Sequence, residues 1–437
     1  MATTPQKLLL TGLGLPNITL EQFIVLSNPM TLGTAGDSRN VWPSTSGVTN
    51  SKQSNQIATW LEFFSQGRFK LSQAHAFAVG GTQVSDLPGQ VASLLAVTPR
   101  CAAALIETGT NTFNGGGTAS AAWAIYGPCI AQLANARITP VVVLDLPRQQ
   151  STFSPGASAA LESCRFNQLI RQNAPALGAI VVDLTALFVD AASATGDPLS
   201  VNYGDGIHLN PRGAFLAGQF IANYFTAFGK PAGGFASQRD TYDAAHNPSG
   251  SLLTASMGLM QGAGGSNSGT GASGTVATGW KNHLNGGTGT SVASIEARTD
   301  GGPGNWQRLD VASTGANAMD VRLELASQIT TNFAAGDQVY LEADIQILNG
   351  VNVNAARSGL VAYASGFVKV SEGNYTALTS SPVEVLPDGT YAGKLTTPPV
   401  TIDGTVVNLT PTFFFGTTAA GGSLAARVGA VVPRKVI

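Results

Sequence analysis

The hydrophobic pattern of the chain changes near residue 229, and this change limits the folds that the sequence can adopt. Before it, short apolar runs at residues 101–106, 140–144 and 179–182 alternate with segments of helical periodicity. Such compact runs are typical of strands that are buried on both faces of a sheet. The alternation of strands with helices favours a parallel sheet covered by helices on both sides. We therefore predict a three-layer α/β/α sandwich over residues 1–230.

Beyond this point the apolar residues recur with a period of two. Residues 319–325 alternate apolar and polar side chains strictly, and residues 339–347 repeat the pattern. This pattern predicts strands with one buried and one wet face, and many such strands without helices favour a β-sandwich of the jelly-roll type over residues 276–437. The glycine- and serine-rich residues 231–275 are predicted to be a linker, or else a mobile loop of the second domain.

The charge content excludes one class of partner. Only 11% of the 437 residues are charged and the formal net charge is -2, whereas about 25% is usual. Because no basic cluster occurs, we expect no binding to nucleic acid.

The uncharged surface fits a sugar-rich or extracellular setting, and equally a neutral soluble enzyme. No apolar run is long enough for a membrane span, and no signal peptide is visible. Localisation stays open, with an extracellular or virion-associated place favoured over the cytoplasm.

Three short segments carry the residue types that acyl transfer needs. Ser38 follows an apolar stretch, so its hydroxyl is expected at the carboxyl end of a strand, where open α/β sheets hold their ligands. Asp205 precedes His208 by three residues and can hold its imidazole, while Asn111 follows the run 101–106. A serine nucleophile needs an imidazole to take its proton and fixed donors for the oxyanion. Each segment alone also fits an ordinary role, as a turn serine, a helix cap or a loop asparagine.

Taken in chain order, the segments resemble the SGNH or GDSL hydrolase superfamily of esterases and lipases. The matching residues are Gly36-Asp37-Ser38, Gly109-Thr110-Asn111 and Asp205-Gly206-Ile207-His208. The resemblance implies a flavodoxin-like catalytic domain over residues 1–230, with Ser38 as nucleophile, His208 as base and Asp205 as its partner. It also implies an oxyanion hole made by the Ser38 N–H, the Asn111 amide and a glycine N–H.

The sequence around the glycine and the serine matches the family less closely. Gly81 is the predicted glycine donor and Gly80 the reserve, since both stand in the segment 79–82. Arg39 replaces the leucine that usually follows the serine, and Thr112 replaces the aspartate that commonly follows the asparagine. Arg39 is predicted at the substrate rim, where it would hold a carboxylate of the substrate, with pairing to a local acid as the alternative.

Together these residues predict a serine esterase that works through an acyl-enzyme and uses neither a metal nor an organic cofactor. The favoured substrate is a short acyl ester, such as an acetyl ester, on a glycan, because the charge is low and a β-module follows. A small ester substrate, a lipase or thioesterase with the same triad, and a phage-tail-like host-attachment protein with esterase activity stay open. The last would often be a trimer. Trp280, Trp306 and Tyr340 are candidates for stacking on sugars, with core packing as the alternative.

Overall fold

The computed structural model describes residues 30–41, 45–46, 49–149, 153, 157–193, 197–226, 240–364, 367–375, 385–418 and 421–436. The chain forms two compact units. One contains Met1–Trp42 and Asn55–Ala232, and the other contains Pro43–Ser54 and Gly233–Ile437.

The strands are β1 (Met30–Gly36), β2 (Thr45–Ser46), β3 (Thr49–Gln53), β4 (Phe69–Ala76), β5 (Ala103–Glu107), β6 (Thr139–Val143), β7 (Ile180–Val182), β8 (Ser266–Ser268), β9 (Ala272–Gly274), β10 (Trp280–Gly286), β11 (Gly289–Ala297), β12 (Asn305–Ser313), β13 (Met319–Leu325), β14 (Gln338–Val351), β15 (Val353–Ala364), β16 (Phe367–Tyr375), β17 (Gly389–Thr396), β18 (Val400–Thr401), β19 (Val406–Thr417) and β20 (Ser423–Lys435). The helices are α1 (Ile57–Phe64), α2 (Leu87–Ala96), α3 (Thr110–Asn114), α4 (Ala119–Asn135), α5 (Ser158–Asn173), α6 (Thr185–Phe188), α7 (Pro211–Tyr224) and α8 (Ala255–Gly258).

The first unit is built on a parallel sheet with the strand order β4-β1-β5-β6-β7. All four neighbouring pairs are parallel. Counted within this unit, the order is that of flavodoxin-like sheets, in which the strand order reverses between the first and the third strand. The predicted parallel α/β sheet is therefore confirmed, and β1 and β5 flank the crevice that such a reversal opens.

Both faces of this sheet are buried. Ala35, Ile106 and Val142 belong to an apolar cluster that also includes side chains of α2, α4 and α5. The alternate strand residues, such as Leu32 and Leu105, are fully buried as well. Because successive residues of a strand point to opposite faces, apolar layers lie on both sides of the sheet. This arrangement explains why the strands read as unbroken apolar runs.

Helices α1 and α7 pack closely on one another. A Cβ added at Gly218 of α7 would lie 2.4 Å from the Cβ of Trp60 in α1, so only glycine permits this approach. The Trp60 ring also lies 5.0 Å from that of Phe215. Helix α7 begins at a proline, whose missing N–H costs nothing there. The Asn210 side chain caps it by accepting a hydrogen bond from the Gly213 N–H at 2.9 Å.

The second unit is mostly β-structure, as predicted. Its two sheets have the orders β2-β3-β16-β15-β19-β13-β10-β8 and β17-β14-β20-β12-β11-β9, with β18 paired to β14. The alternation in β13 and β14 buries one side of each strand, and the residues buried in this way are Met319, Val321, Leu323, Leu325, Val339, Leu341, Ala343, Ile345 and Ile347. The sheets are mixed, since β3, β8 and β9 run parallel to a neighbour, and the architecture is that of a β-sandwich.

Two segments of this unit lie outside the range 276–437 that the sequence analysis gives to the β-sandwich. Strand β3 pairs in parallel with β16, so a piece of chain from between β1 and α1 belongs to the second unit. Within residues 231–275, β8 pairs with β10 and β9 pairs with β11. Residues 231–239 lie outside the described residues.

Trp280 and Trp306 are both buried, with 0% and 2% of their surface exposed. Both side chains therefore pack in the core and are not available for stacking on sugars. Among the described residues, no helix is long and apolar enough to cross a membrane.

Candidate active site

The turn that carries Ser38 is fixed from several directions. Strand β1 ends at Gly36 with φ of 125°, and a Cβ there would lie only 1.8 Å from the Glu107 carbonyl oxygen. Glycine is therefore required at this position. The Gln90 side chain binds both backbone groups of Gly36, accepting from its N–H at 2.6 Å and donating to its carbonyl at 3.0 Å. The Asp37 N–H donates to Glu107 O at 3.1 Å. Ser38 thus follows a rigid strand end.

Asp205 and His208 lie in the loop that leads into helix α7. One carboxylate oxygen of Asp205 accepts from the backbone N–H groups of Ile207 at 2.9 Å and His208 at 2.7 Å. The other lies 2.7 Å from His208 Nδ1. Partial burial opposes ionisation of Asp205, but the hydrogen bonds from His208 and Ile207 outweigh it and lower its pKa to about 2. The carboxylate is therefore ionised wherever the protein is folded near neutral pH.

His208 also meets the serine, because its Nε2 lies 2.9 Å from Ser38 Oγ. The Nδ1 contact with Asp205 favours the tautomer that has its proton on Nδ1 and leaves Nε2 as an acceptor. An imidazole in this state can take the proton of the hydroxyl, and the carboxylate can stabilise the imidazolium that results. The structure therefore brings the three predicted residues into one chain of contacts, across 170 positions of sequence.

The predicted oxyanion donors lie on neighbouring loops. A Cβ added at Gly80 would lie 3.8 Å from the Cβ of Ser38, so Gly80 stands next to the serine. Gly81 follows in the same tight turn, at a φ of 81°, and Thr82 closes that turn by hydrogen bonds to the Val79 carbonyl. Asn111 donates to Thr82 O at 3.1 Å. Because an amide has two N–H bonds, this contact orients Asn111, and the second N–H has no hydrogen bond to any described residue.

Thr112, which stands where the family commonly has aspartate, has a structural contact. Its hydroxyl oxygen accepts a hydrogen bond from the Val84 N–H at 2.8 Å. This bond and the contact between Asn111 and Thr82 join the start of α3 to the loop after β4. The loops that carry Asn111, Gly80 and Gly81 are therefore held together by two hydrogen bonds.

The prediction of Arg39 at the substrate rim is wrong. Its side chain has 0% exposure, so it cannot meet a substrate. Its five acceptors are Ile207 O, Glu107 Oε1, Asp145 Oδ1, Leu146 O and Pro147 O. The alternative, pairing with a local acid, is the arrangement found, although the acids come from the ends of β5 and β6 rather than from nearby sequence.

Three carboxyl groups are buried with this guanidinium, and burial dominates their titration. Burial raises the pKa of Glu107 well above its usual value, with repulsion from Asp37 adding to the effect and Arg39 offsetting part of it. Burial also raises the pKa of Asp37, and it raises that of Asp145 to about 6 in spite of Arg39 and a hydrogen bond from Ser163. The cluster therefore binds protons more readily than exposed carboxylates do.

The other histidines are held by contacts of their own. Both ring nitrogens of His75 have local partners, Ser72 Oγ at 2.9 Å and Pro99 O at 2.8 Å. His246 and His283 belong to the second unit. Among the described residues, no group of three His, Cys, Asp or Glu side chains is arranged to hold a metal ion.

Sequence reasoning missed two side chains that shape the site. Gln90 is buried on the otherwise apolar face of α2 and holds Gly36. Asn40 donates to Ala35 O at 3.1 Å and to Leu105 O at 2.8 Å, so it bridges β1 and β5. Gln90 could have been found as a polar residue among the apolar positions of a helix. Asn40 could have been found because it lies two residues after Ser38 in the sequence.

Comparison with known proteins finds a family match over part of the chain. Residues 39–214 match the GDSL-like lipase/acylhydrolase family, a range that contains Asn111, Asp205 and His208 and begins one residue after Ser38. The sequence has no significant match among curated proteins.

Several solved structures are similar to parts of the chain. A protein from Desulfitobacterium hafniense, described as a lipolytic protein of the G-D-S-L family, is 16% identical with a TM-score of 0.35, over 44% of this chain and 98% of that one. A GDSL-like lipase from Bacteroides thetaiotaomicron is 15% identical with a TM-score of 0.34, over 45% and 88%. The enzymatically active domain of tailspike protein 4 from bacteriophage CBA120 is 11% identical with a TM-score of 0.24, over 36% and 20%.

The family match, the parallel sheet and the contacts of Ser38 with His208 agree with one another. Residues 39–214 thus match a GDSL-like lipase/acylhydrolase domain, and this match supports a hydrolase of the lipase/esterase type.

Proposed function

We propose that the protein is a serine esterase in which Ser38, His208 and Asp205 form the catalytic triad. The observation that carries this proposal is the unbroken series of contacts from Ser38 Oγ to His208 Nε2 at 2.9 Å and from His208 Nδ1 to Asp205 at 2.7 Å. A hydroxyl is a weak nucleophile near neutral pH, and an adjacent oriented imidazole is what activates it.

In the proposed reaction, Ser38 Oγ attacks the ester carbonyl while its proton passes to His208 Nε2. The oxyanion accepts hydrogen bonds from the Ser38 N–H, from the glycine turn and from the Asn111 amide. His208 then gives its proton to the departing alcohol, which leaves an acyl-enzyme. A water molecule, deprotonated by the same imidazole, releases the acid and restores Ser38.

The glycine donor is proposed to come from the Gly80–Gly81 turn. Gly81 is the donor that the sequence predicts, while Gly80 has the closer approach to Ser38 in the structure. Both residues are exposed, so their backbone is accessible to a substrate. The proposal therefore assigns the turn, with Gly81 as the predicted residue and Gly80 as the alternative.

We further propose a short acyl group, such as acetyl, on a carbohydrate. Support for a short chain comes from the surface of the first unit. Among its described residues, the exposed large apolar side chains are Val79, Leu161 and Val201, which are too few to cover a long alkyl chain. Support for a carbohydrate comes from the content of 11% charged residues and from the β-sandwich that accompanies the hydrolase domain.

The test is a comparison of esters at equal concentration. The substrates are 4-nitrophenyl acetate, butyrate and octanoate, together with O-acetylated monosaccharides and polysaccharides. The proposal expects the highest kcat/KM on acetylated sugars and a steady loss as the acyl chain lengthens. Ser38→Ala serves as the control and should abolish all of these activities. A preference for octanoate would overturn the sugar assignment, and full activity of Ser38→Ala would overturn the triad.

A further inference from the structure

Arg39 connects segments that are far apart in the chain but adjacent at the site. Its Nε donates to the carbonyl oxygen of Ile207 at 2.9 Å. Its Nη1 donates to the carboxylate of Glu107, the last residue of β5, at 3.2 Å. The same nitrogen donates at 3.1 Å to the carbonyl oxygen of Leu146, which follows β6. One side chain thus joins the serine turn, the histidine loop and the ends of two central strands.

The hydrogen bond from Arg39 to the Ile207 carbonyl joins the two residues that adjoin Ser38 and His208 in sequence. Arg39 directly follows Ser38, and Ile207 directly precedes His208. The link between these neighbours therefore restrains the distance between Ser38 Oγ and His208 Nε2, which is 2.9 Å. Proton transfer depends steeply on such a distance, and a misplacement of about 1 Å can cost roughly 100-fold in rate.

The guanidinium is itself held in place. Its side chain and those of Glu107 and Asp145 have 0% exposure, with ion-pair distances of 3.2 and 3.4 Å. A buried charge that lacked partners would be very costly, so this set can hold only a narrow range of geometries. A planar group with five donors satisfies all these acceptors together, whereas the single ammonium of a lysine cannot.

We infer that Arg39 is a positioning residue for the hydrolase reaction, which fixes the loop of His208 against the turn of Ser38 through the Ile207 carbonyl. The inference rests on the proposed function, since it presumes that Ser38 and His208 react together. It places Arg39 in the interior, since its side chain has 0% exposure, and gives it no contact with the substrate.

The first experiment compares Arg39→Lys with a matched variant, Arg298→Lys. Arg298 lies in the second unit, its side chain has 2% exposure, and it pairs with Asp300 and Asp344. Both changes remove a buried guanidinium and keep a positive charge. The readouts are kcat and KM on 4-nitrophenyl acetate, the rate of labelling by a fluorophosphonate probe, and the thermal unfolding temperature.

For Arg39→Lys we expect kcat per labelled serine to fall about 100-fold, with KM nearly unchanged, because only the geometry of the reacting pair is altered. Labelling should slow by a similar factor. Arg298→Lys should lower the unfolding temperature and leave kcat and labelling unchanged. Equal kcat in Arg39→Lys and the parent protein would overturn the inference. So would a loss in KM alone, since that would indicate a role in substrate binding.

A second measurement uses the unmodified protein and so does not depend on the folding of a variant. The NMR signal of the Arg39 Hε should exchange slowly with solvent and should show a scalar coupling to the Ile207 carbonyl carbon. Fast exchange without this coupling would overturn the inference. Failure of the proposed function is separate, because it would appear as activity and labelling retained in Ser38→Ala.

Discussion

The chain contains two Asp-x-x-His turns, one in each unit, and they have nearly the same local structure. In the first, Asp205 accepts from the backbone N–H of His208 at 2.7 Å and lies 2.7 Å from its Nδ1. In the second, Asp243 accepts from the backbone N–H of His246 at 2.8 Å and lies 2.9 Å from its Nδ1. In both turns these hydrogen bonds lower the pKa of the aspartate, although burial of Asp205 opposes the effect.

The turns differ in what surrounds the other ring nitrogen. The Nε2 of His208 lies 2.9 Å from Ser38 Oγ, and Arg39 holds the loop by a hydrogen bond to the Ile207 carbonyl. The His246 side chain is 86% exposed, and among the described residues none makes a hydrogen bond to its Nε2. An aspartate and a histidine at this spacing therefore produce an oriented imidazole by local bonding alone. Only the fold supplies the nucleophile.

The largest expected difference between the two turns comes from replacing each histidine separately. His208→Ala should reduce kcat by about a million-fold, the order seen when a triad base is lost. His246→Ala should leave kcat unchanged, because none of the described residues presents a nucleophile to its ring. Steady-state hydrolysis of 4-nitrophenyl acetate measures both. Comparable losses in the two variants would show that the second turn also takes part in the reaction.

The carboxylates give the next largest contrast. Asp205→Asn should lower kcat about ten-thousand-fold, because an amide in that place favours the wrong tautomer of His208. Asp243→Asn should have no effect on turnover. The same kinetic assay applies, with circular dichroism to establish that both variants are folded. If Asp205→Asn kept most of its kcat, the orientation of the ring would have to come from elsewhere.

Asn111, the proposed oxyanion donor, gives a third contrast, because it belongs to the site around His208 and not to the turn of His246. Asn111→Ala should reduce kcat by roughly 100- to 1,000-fold, the usual effect of losing one such donor, with little change in KM. Asn111 also donates to Thr82 O at 3.1 Å, so Thr82→Ala, which keeps that carbonyl, is the control for the loop. An Asn111→Ala protein with parental kcat would remove Asn111 from the site.

The smallest expected effect concerns the buried carboxyls near the first turn. The pKa of Asp145 is about 6 in the folded protein, above its usual 3.8. The native state therefore binds more protons than the unfolded state between about pH 4 and 6, so stability falls as pH rises through this range, by up to about 3 kcal/mol.

Urea unfolding at pH 4, 5, 6 and 7 measures this dependence. Asp145→Asn should flatten the curve between about pH 4 and 6, because the titrating group is gone. Asp243→Asn should leave the slope between about pH 5 and 6 unchanged, since the lowered pKa of Asp243 affects stability only as pH falls towards its usual value of 3.8 and below. An unaltered slope in Asp145→Asn would mean that other carboxyls of the cluster take up the protons.

The sequence predicted those parts of the fold that leave a periodic signal. The apolar runs became β5, β6 and β7, and the alternating segments became β13 and β14. Strand β3 was not foreseen, because its sequence Thr-Asn-Ser-Lys-Gln has no apolar alternation and its pairing with β16 depends on residues more than 300 positions away.

The residues of the site were found by their type and spacing, but their surroundings were not. Ser38 follows β1, whereas Asp205 and His208 share the loop before α7, and only the folded chain brings these two segments together. Arg39 was misplaced because a charged residue is usually exposed, and nothing in the local sequence indicates that Glu107 and Asp145 lie beside it. Long-range pairing of buried charges is a property of the folded chain.

The membership of Pro43–Ser54 in the second unit has a consequence for protein engineering. The polypeptide passes from one unit to the other after Trp42, returns before Asn55 and passes again after Ala232. A fragment truncated at residue 232 would keep β3 but lose its partner β16, and would expose unpaired backbone groups of the kind that promote aggregation. Recombinant halves should therefore omit or relocate this short insertion, rather than rely on a single cut.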